Sequence, residues 1–336
     1  MDMDNITLAH GSGGKLTHEM IGGIFFKYFK NEMLERAEDA AVFAIKGKRI
    51  AFTTDSFVVK PIFFPGGDIG KLAVCGTVND LAVVGATPKY ISCAFIIEEG
   101  FSFSDLEKIV KSMADWAKDA GLKIVTGDTK VVGRGEADGI FINTSGIGVF
   151  EKDVKLGAEK IKPGDKVILT GNIADHGLAV LGKRKGLEFE SEIVSDVAPL
   201  NKMLLELTKK VGGVKFMRDP TRGGVATTLN EITEGRKFGI LIEEKNIPVS
   251  ENARAACEIL GLEPLYVANE GKAIIVVSSK NEKKALSSLR KNKYGKYAVT
   301  VGTVTKNNPG KVCLLTAYGT VRIVDMLSGE QLPRIC

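Results

Sequence analysis

The chain has 336 residues, 44% hydrophobic and 26% charged, with a formal net charge of +5. That is ordinary globular composition at a length beyond the roughly 250 to 300 residues where one core stops growing, so two domains are expected. No apolar run approaches the roughly 18 residues of a membrane span, and the scattered lysines and arginines are not interleaved with aromatics, which argues against membrane and nucleic-acid partners.

The acidic start MDMDNITLAH lacks the basic and apolar pattern of an export signal, and a cytoplasmic protein is expected. Its loop His10-Gly11-Ser12-Gly13-Gly14-Lys15 is compatible with an anion cradle of glycine amides and lysine charge, and equally with an ordinary N-terminal loop. It is neither a Walker loop, since Ala9 and Leu16 stand where glycine and Ser/Thr belong, nor GxGxxG. Alternation and helical periodicity then predict a strand over 49–54, an apolar helix over 69–84, a strand over 89–98, a helix over 103–120, and strands over 123–126 and 139–149. Charged residues over 151–165 end in Pro163-Gly164-Asp165, a turn signal that sets a domain boundary near residue 152. Beyond it the pattern predicts a strand over 166–169, helices over 199–211 and 224–234, a strand over 272–278, a helix over 282–291, and strands over 311–318 and 321–324. The fold class is α/β of mixed α+β type, with domains over 1–152 and 153–325. Residues 326–336, MLSGEQLPRIC, have no regular pattern and read as a mobile tail.

Within this frame Asp55 and Asp128 each follow a strand, where open α/β sheets place ligands and where turn-forming or capping aspartates also occur. Asp80 lies on a helix that is apolar all round, so its carboxylate requires a cation, either lysine or metal. Asp39, in the pair Glu38-Asp39, is a possible further member. Several aspartates with only three histidines suit magnesium on nucleotide phosphates rather than a transition metal. Asp219-Pro220-Thr221-Arg222-Gly223-Gly224 offers an arginine and free amides to an anion, or is a well-made helix start. Asp175-His176-Gly177 and Asn269-Glu270-Gly271 are polar turns beside apolar elements, and Lys130 alone reads as a surface lysine.

Taken in order, HGSGGK at 10–15, EDAAV at 38–42, TTDSFVV at 53–59, FFPGGDIGKLAVCGTVNDLAVVGA at 63–86, TGDTKVV at 126–132, DHG at 175–177, DPTRGG at 219–224, NEGK at 269–272 and the final PRIC resemble the HypE family of hydrogenase maturation factors. More distantly they resemble its superfamily of aminoimidazole ribonucleotide synthetase, selenophosphate synthetase and thiamine-monophosphate kinase. The resemblance spans essentially the whole chain; Glu38, where aspartate is expected, is a small departure.

The resemblance implies two domains of mixed sheets packed with helices, the first forming a homodimer through its sheet. It also implies ATP-dependent dehydration of S-carbamoyl-Cys336 to a thiocyanate, which supplies the cyanide ligand for the iron of nickel–iron hydrogenase. It assigns Asp55, Asp80 and Asp128 to magnesium and the triphosphate, with Lys15, Asp39, Lys71 and Asn79 alongside. Around the reacting tail it sets Glu270 as base, Lys130 as charge stabiliser and His176 as orienting group. Implied partners are a HypF-type carbamoyl transferase and the iron-carrying HypC and HypD. The ten residues from Leu327 to Cys336 could span about 33 Å extended, ample reach for a carrier arm. Within the superfamily, selenophosphate synthetase needs a reactive residue near the N-terminal loop, yet no cysteine precedes Cys75. A small-molecule kinase would not need a terminal thiol, and a non-catalytic ATP-binding scaffold would use the tail only to dock. Five cysteines with no CxxC pair speak against disulfides and zinc, and Pro333 stands where a prenylation signal needs cysteine.

Overall fold

The computed structural model describes residues 14–25, 28, 38, 40–151, 154–187, 193–327, 332 and 334–336; Asp39 and residues 10–13 of the glycine loop lie outside them. After a short helix α1 (Lys15–Met20), the first half builds a sheet from β1 (Ala41–Ile45), β2 (Lys48–Phe57), β5 (Thr87–Glu98), β6 (Lys123–Val132) and β7 (Ile140–Val149). A two-residue ladder, β3 (Phe63–Phe64) with β4 (Gly67–Asp68), stands between β2 and the helix α2 (Ile69–Val83). The order is β1-β2-β7-β5-β6, antiparallel except for the parallel pair of β5 with β6. That one parallel pair exists because α3 (Phe103–Ala120) carries the chain back across the sheet. Ser102 caps α3 by accepting from the Asp105 N–H, and Gly121 ends it at φ 79°, the cap pair that makes this helix legible in sequence.

The second half forms a seven-stranded sheet from β8 (Lys166–Leu169), β9 (Val214–Arg218), β10 (Gly239–Glu243), β11 (Ile274–Val277), β12 (Val299–Thr305), β13 (Val312–Leu315) and β14 (Val321–Val324). Its order is β14-β13-β10-β12-β8-β11-β9, with β10 and β13 parallel. Around it lie α4 (Asp175–Lys185), α5 (Asn201–Lys210), α6 (Gly224–Thr233), α7 (Glu251–Leu260) and α8 (Glu282–Leu289). Among the described residues no helix is long and apolar enough to cross a membrane.

Several elements exceed the sequence expectation: β2 runs on to Phe57 and β6 to Val132, because cross-strand pairing with β7 and β5 overrides the weak local signal of TDSF and GDTK. Strands β1, β9, β10 and β12 and helices α4 and α7 were not anticipated. In α4 two glycines and the absence of a side-chain cap hide a helix held by packing.

Helix α2 joins the halves. Thirteen of its residues, from Ile69 to Val83, are buried, because the first sheet, α3 and the second half cover it on different sides. This explains why apolar residues surround the helix on every side. Asn79 is fully buried and bridges: its amide donates to the carbonyls of Ala198 and Glu270 and accepts from the Leu200 N–H at 2.8 Å.

Candidate active site

The described part of the tail is seated, not extended into solvent. Residues 334–336 run beside the segment that leaves β2: Val58 N–H donates to the Cys336 carbonyl and Lys60 N–H to that of Arg334, both at 3.2 Å. Ile335 is 3% exposed within the core cluster that includes Phe64, Val180, Val197 and Ala268, so its burial supplies on the order of 2 kcal/mol of docking.

His176, fully buried, reads the tail directly. Its Nε2 lies 2.9 Å from the Ile335 carbonyl, which can only accept, so Nε2 carries the proton and Nδ1 accepts from the Ser195 hydroxyl at 2.8 Å. Burial lowers its pKa and keeps this neutral tautomer. Gly177 follows because a Cβ there would meet Val267 Cγ1 at 2.5 Å and Leu332 Cδ1 at 3.1 Å.

Docking brings the Cys336 thiol into the electrostatic range of Arg222, Glu270 and Asp55, and burial pushes its pKa up to about 12. Glu270 is 2% exposed, and its Oε1 has no hydrogen-bond partner among the described residues. Burial, reinforced by Asp219, Asp196 and Asp55, raises its pKa well above the usual carboxylate range. Its backbone is fixed on both sides, by Asn79 on its carbonyl and by Asp196 Oδ1, which accepts its N–H at 3.0 Å. Although burial alone would raise Asp196, Lys272 at 3.0 Å and the Glu270 N–H hold it ionised. Gly271 is required here: a Cβ would fall 1.7 Å from the Asp196 carbonyl oxygen.

Asp55 and Asp80 lie in the same region. Thr53 Oγ1 donates to Asp80 Oδ2 at 2.7 Å, and Arg222 is near enough to both aspartates for them to raise its pKa, after the larger effect of Cys336. Asp128 and Lys130 are elsewhere. Asp128 pairs in register with Ala94 and so with Asn143, on the face opposite to Asp55, and the two exposed side chains form an ion pair with each other at 3.3 Å. Lys71 Nζ donates to the Gly66 carbonyl and sits 4.1 Å over the Trp116 ring. The Lys15 amine faces Glu19 at 3.6 Å, while its N–H donates to the Leu327 carbonyl. The single chain therefore gathers Cys336, Glu270, His176, Asp55, Asp80 and Asn79, but not Asp128, Lys130, Lys71 or Lys15. A separate cavity of about 840 Å³ has Glu231 in its lining, paired with His18 and Arg218.

Family models for AIR synthase related proteins match the chain over residues 37–150 (N-terminal domain) and 162–313 (C-terminal domain). Carbamoyl dehydratase HypE of Bradyrhizobium diazoefficiens is 48% identical over 332 residues, covering 98% of this chain and 96% of that protein. The chain belongs to the HypE family. Among solved structures, a HypE–HypF complex is 51% identical with a TM-score of 0.87, covering 92% of this chain and 99% of that one. HypE in complex with ATP is 46% identical with a TM-score of 0.83, covering 98% and 100%. The two-domain fold of mixed sheets packed with helices is thus that of HypE proteins. Arg222, Asp196, Ser195 and Lys272 join the site of this HypE-family chain. Arg222 was signalled by the loop from Asp219 to Gly224, which reads as an anion site or a helix start, whereas the other three gain their places only through contacts distant in sequence.

Proposed function

We propose that this HypE-family chain is an ATP-dependent carbamoyl dehydratase acting on its own C-terminal cysteine in hydrogenase maturation. The observation that carries the reading is the orphaned, buried Glu270 Oε1 in the cleft that receives the Cys336 thiol. A carbamoyl group on that sulfur brings an NH2 able to donate to it.

In the reaction the carbamoyl oxygen attacks the γ-phosphorus of ATP and ADP leaves. Glu270 takes one nitrogen proton; the C–O bond then breaks with its electrons going to phosphate, which carries off the second proton, and S–C≡N remains. Burial makes the Glu270 carboxylate a stronger base than an exposed one. Asn79 and Asp196 hold its backbone, His176 orients the Ile335 peptide, and Arg222 offers positive charge to the phosphoryl group. Since burial pushes the docked thiol up to about 12, it is loaded undocked, by a HypF-type transferase, and the cyano group passes on to the iron carriers HypC and HypD.

The residues fit magnesium. Asp55 and Asp80 offer hard oxygens beside the Thr53 hydroxyl, and among the described residues no group of three or more metal-ligating side chains is preformed. That is the donor set of an ion held by one or two carboxylates plus nucleotide phosphates, where it would neutralise phosphate charge. Lys15, Asp39 and Lys71 are proposed to act on the nucleotide. Asp128 and Lys130 share the outer face of the first sheet with exposed Phe52, Tyr90, Ile96 and Ile147, and a second copy laid on that face makes the homodimer and gives these two residues a partner site. Five free cysteines suit a reducing cytoplasm.

The test is the intact mass of the C-terminal peptide after carbamoylation, with and without ATP. The expected result is ATP-dependent loss of one water, absent in Cys336→Ala. A carbamoyl adduct that ATP leaves unchanged would overturn the reading.

A further inference from the structure

The tail is held by charge as well as by the buried Ile335. Arg334 lies at φ +52°, a conformation unfavourable for a residue with a side chain, so its surroundings must impose it. Its Nε donates to the Val58 carbonyl at 2.9 Å, and its guanidinium pairs with Asp138. Asp138 belongs to the loop between β6 and β7 and also accepts from Lys60 Nζ at 2.8 Å. From the other side Arg184, near the end of α4, donates to the carbonyls of Lys60 and Arg334, each at 2.6 Å. The loop that presents Asp138 is itself braced: Glu98 accepts from the N–H groups of Gly135 and Gly139 at 2.7 and 2.8 Å. Neither Asp138 nor Arg184 touches the thiol.

We propose that Asp138 and Arg184 form a receptor for Arg334, acting as positioning residues that hold Cys336 beside Glu270 and set how readily the tail leaves for loading. This rests on the dehydratase reading for its second half only. A carrier arm must be held for chemistry and free for exchange, and an ion pair at a half-exposed carboxylate (43% exposed) is strong enough to bias the equilibrium without locking it.

The first measurement uses the full-length protein without nucleotide or carbamoyl donor: the initial rate at which iodoacetamide modifies Cys336, read on the C-terminal peptide. Asp138→Ala and Arg334→Ala should each label roughly five- to thirty-fold faster than the parent chain, the factor that a loss of about 1 to 2 kcal/mol of docking gives, while Asp138→Glu stays near the parent rate. Arg334→Ala lies on the tail and leaves the folded body intact, so misfolding does not mimic the result. Labelling of Asp138→Ala at the parent rate, or of Asp138→Glu as fast as Asp138→Ala, overturns the receptor. The second measurement is single-turnover dehydration of the carbamoylated chain, where Asp138→Ala should slow the first-order step with ATP affinity unchanged. Faster labelling with unaltered dehydration overturns the positioning role, whereas loss of dehydration in the parent chain indicts the dehydratase reading alone.

Discussion

At the scale of the residue, the decisive balance is at Glu270, where burial and three neighbouring aspartates outweigh the one arginine that would keep the carboxyl ionised. A base works only when deprotonated, so a raised pKa moves the acid limb of the pH–rate profile upward. Dehydration should be nearly absent where an ordinary glutamate, with a pKa of about 4.3, is already ionised, and should grow as pH rises through the higher value. Glu270→Gln preserves size and removes the base, with an expected loss of 10²- to 10⁴-fold in single-turnover rate and unchanged ATP binding by calorimetry. Wild-type turnover in this variant would remove Glu270 from the mechanism. Asp80 stood out in sequence as a carboxylate on an otherwise apolar helix, whereas Asp55 and Glu270 read alone as turn or capping residues and took their proposed roles, like Cys336, only from the resemblance of the ordered motifs. Asn79 was legible as polar but not in its role: its amide is used by the backbones of Ala198, Leu200 and Glu270, an arrangement set by residues over a hundred positions away.

At the scale of the element, glycines turn backbone contact into site geometry. Gly271 lets the turn after Glu270 lie against the Asp196 carbonyl, which in turn lets Asp196 hold the Glu270 N–H and Lys272 together. Gly271→Ala sets a methyl group against backbone that no side-chain rotation can clear. The expected cost is about 3 kcal/mol in denaturant unfolding, at the upper end of overpacking substitutions, with dehydration lost in the surviving folded fraction; a variant as stable as the parent would show that this turn has room to spare. Capped helices such as α3 and the largely apolar α2 could be read from sequence, since their signals are local. Helix α4 and strands β10 and β12 could not, because what forms them is the neighbour they pair with or pack against.

For the whole molecule, two sheets clasp α2, and the cleft between them is closed from outside by the chain's own last residues. The two-domain architecture was accessible from length, the turn at Pro163-Gly164 and the ordered motifs, but the seating of the tail was not, since no local pattern marks 334–336 as a strand-like addition to 58–60. The outer face of the first sheet carries a row in which Phe52 and Tyr90 both pair with Ile147, a patch suited to self-association. Tyr90→Glu buries a charge in that contact and should convert a dimer into a monomer by analytical ultracentrifugation; a parent chain that is monomeric at the same concentration would remove the dimer from the proposal. Cys336 is partly covered in its seat, so docking slows the access of solvent and free thiols to whatever the sulfur carries, and an S-cyano group is an electrophile that cellular thiols would strip. The cleft is thus a shelter for the product, and the moment at which the arm swings out decides whether the cyanide reaches a metal or is wasted.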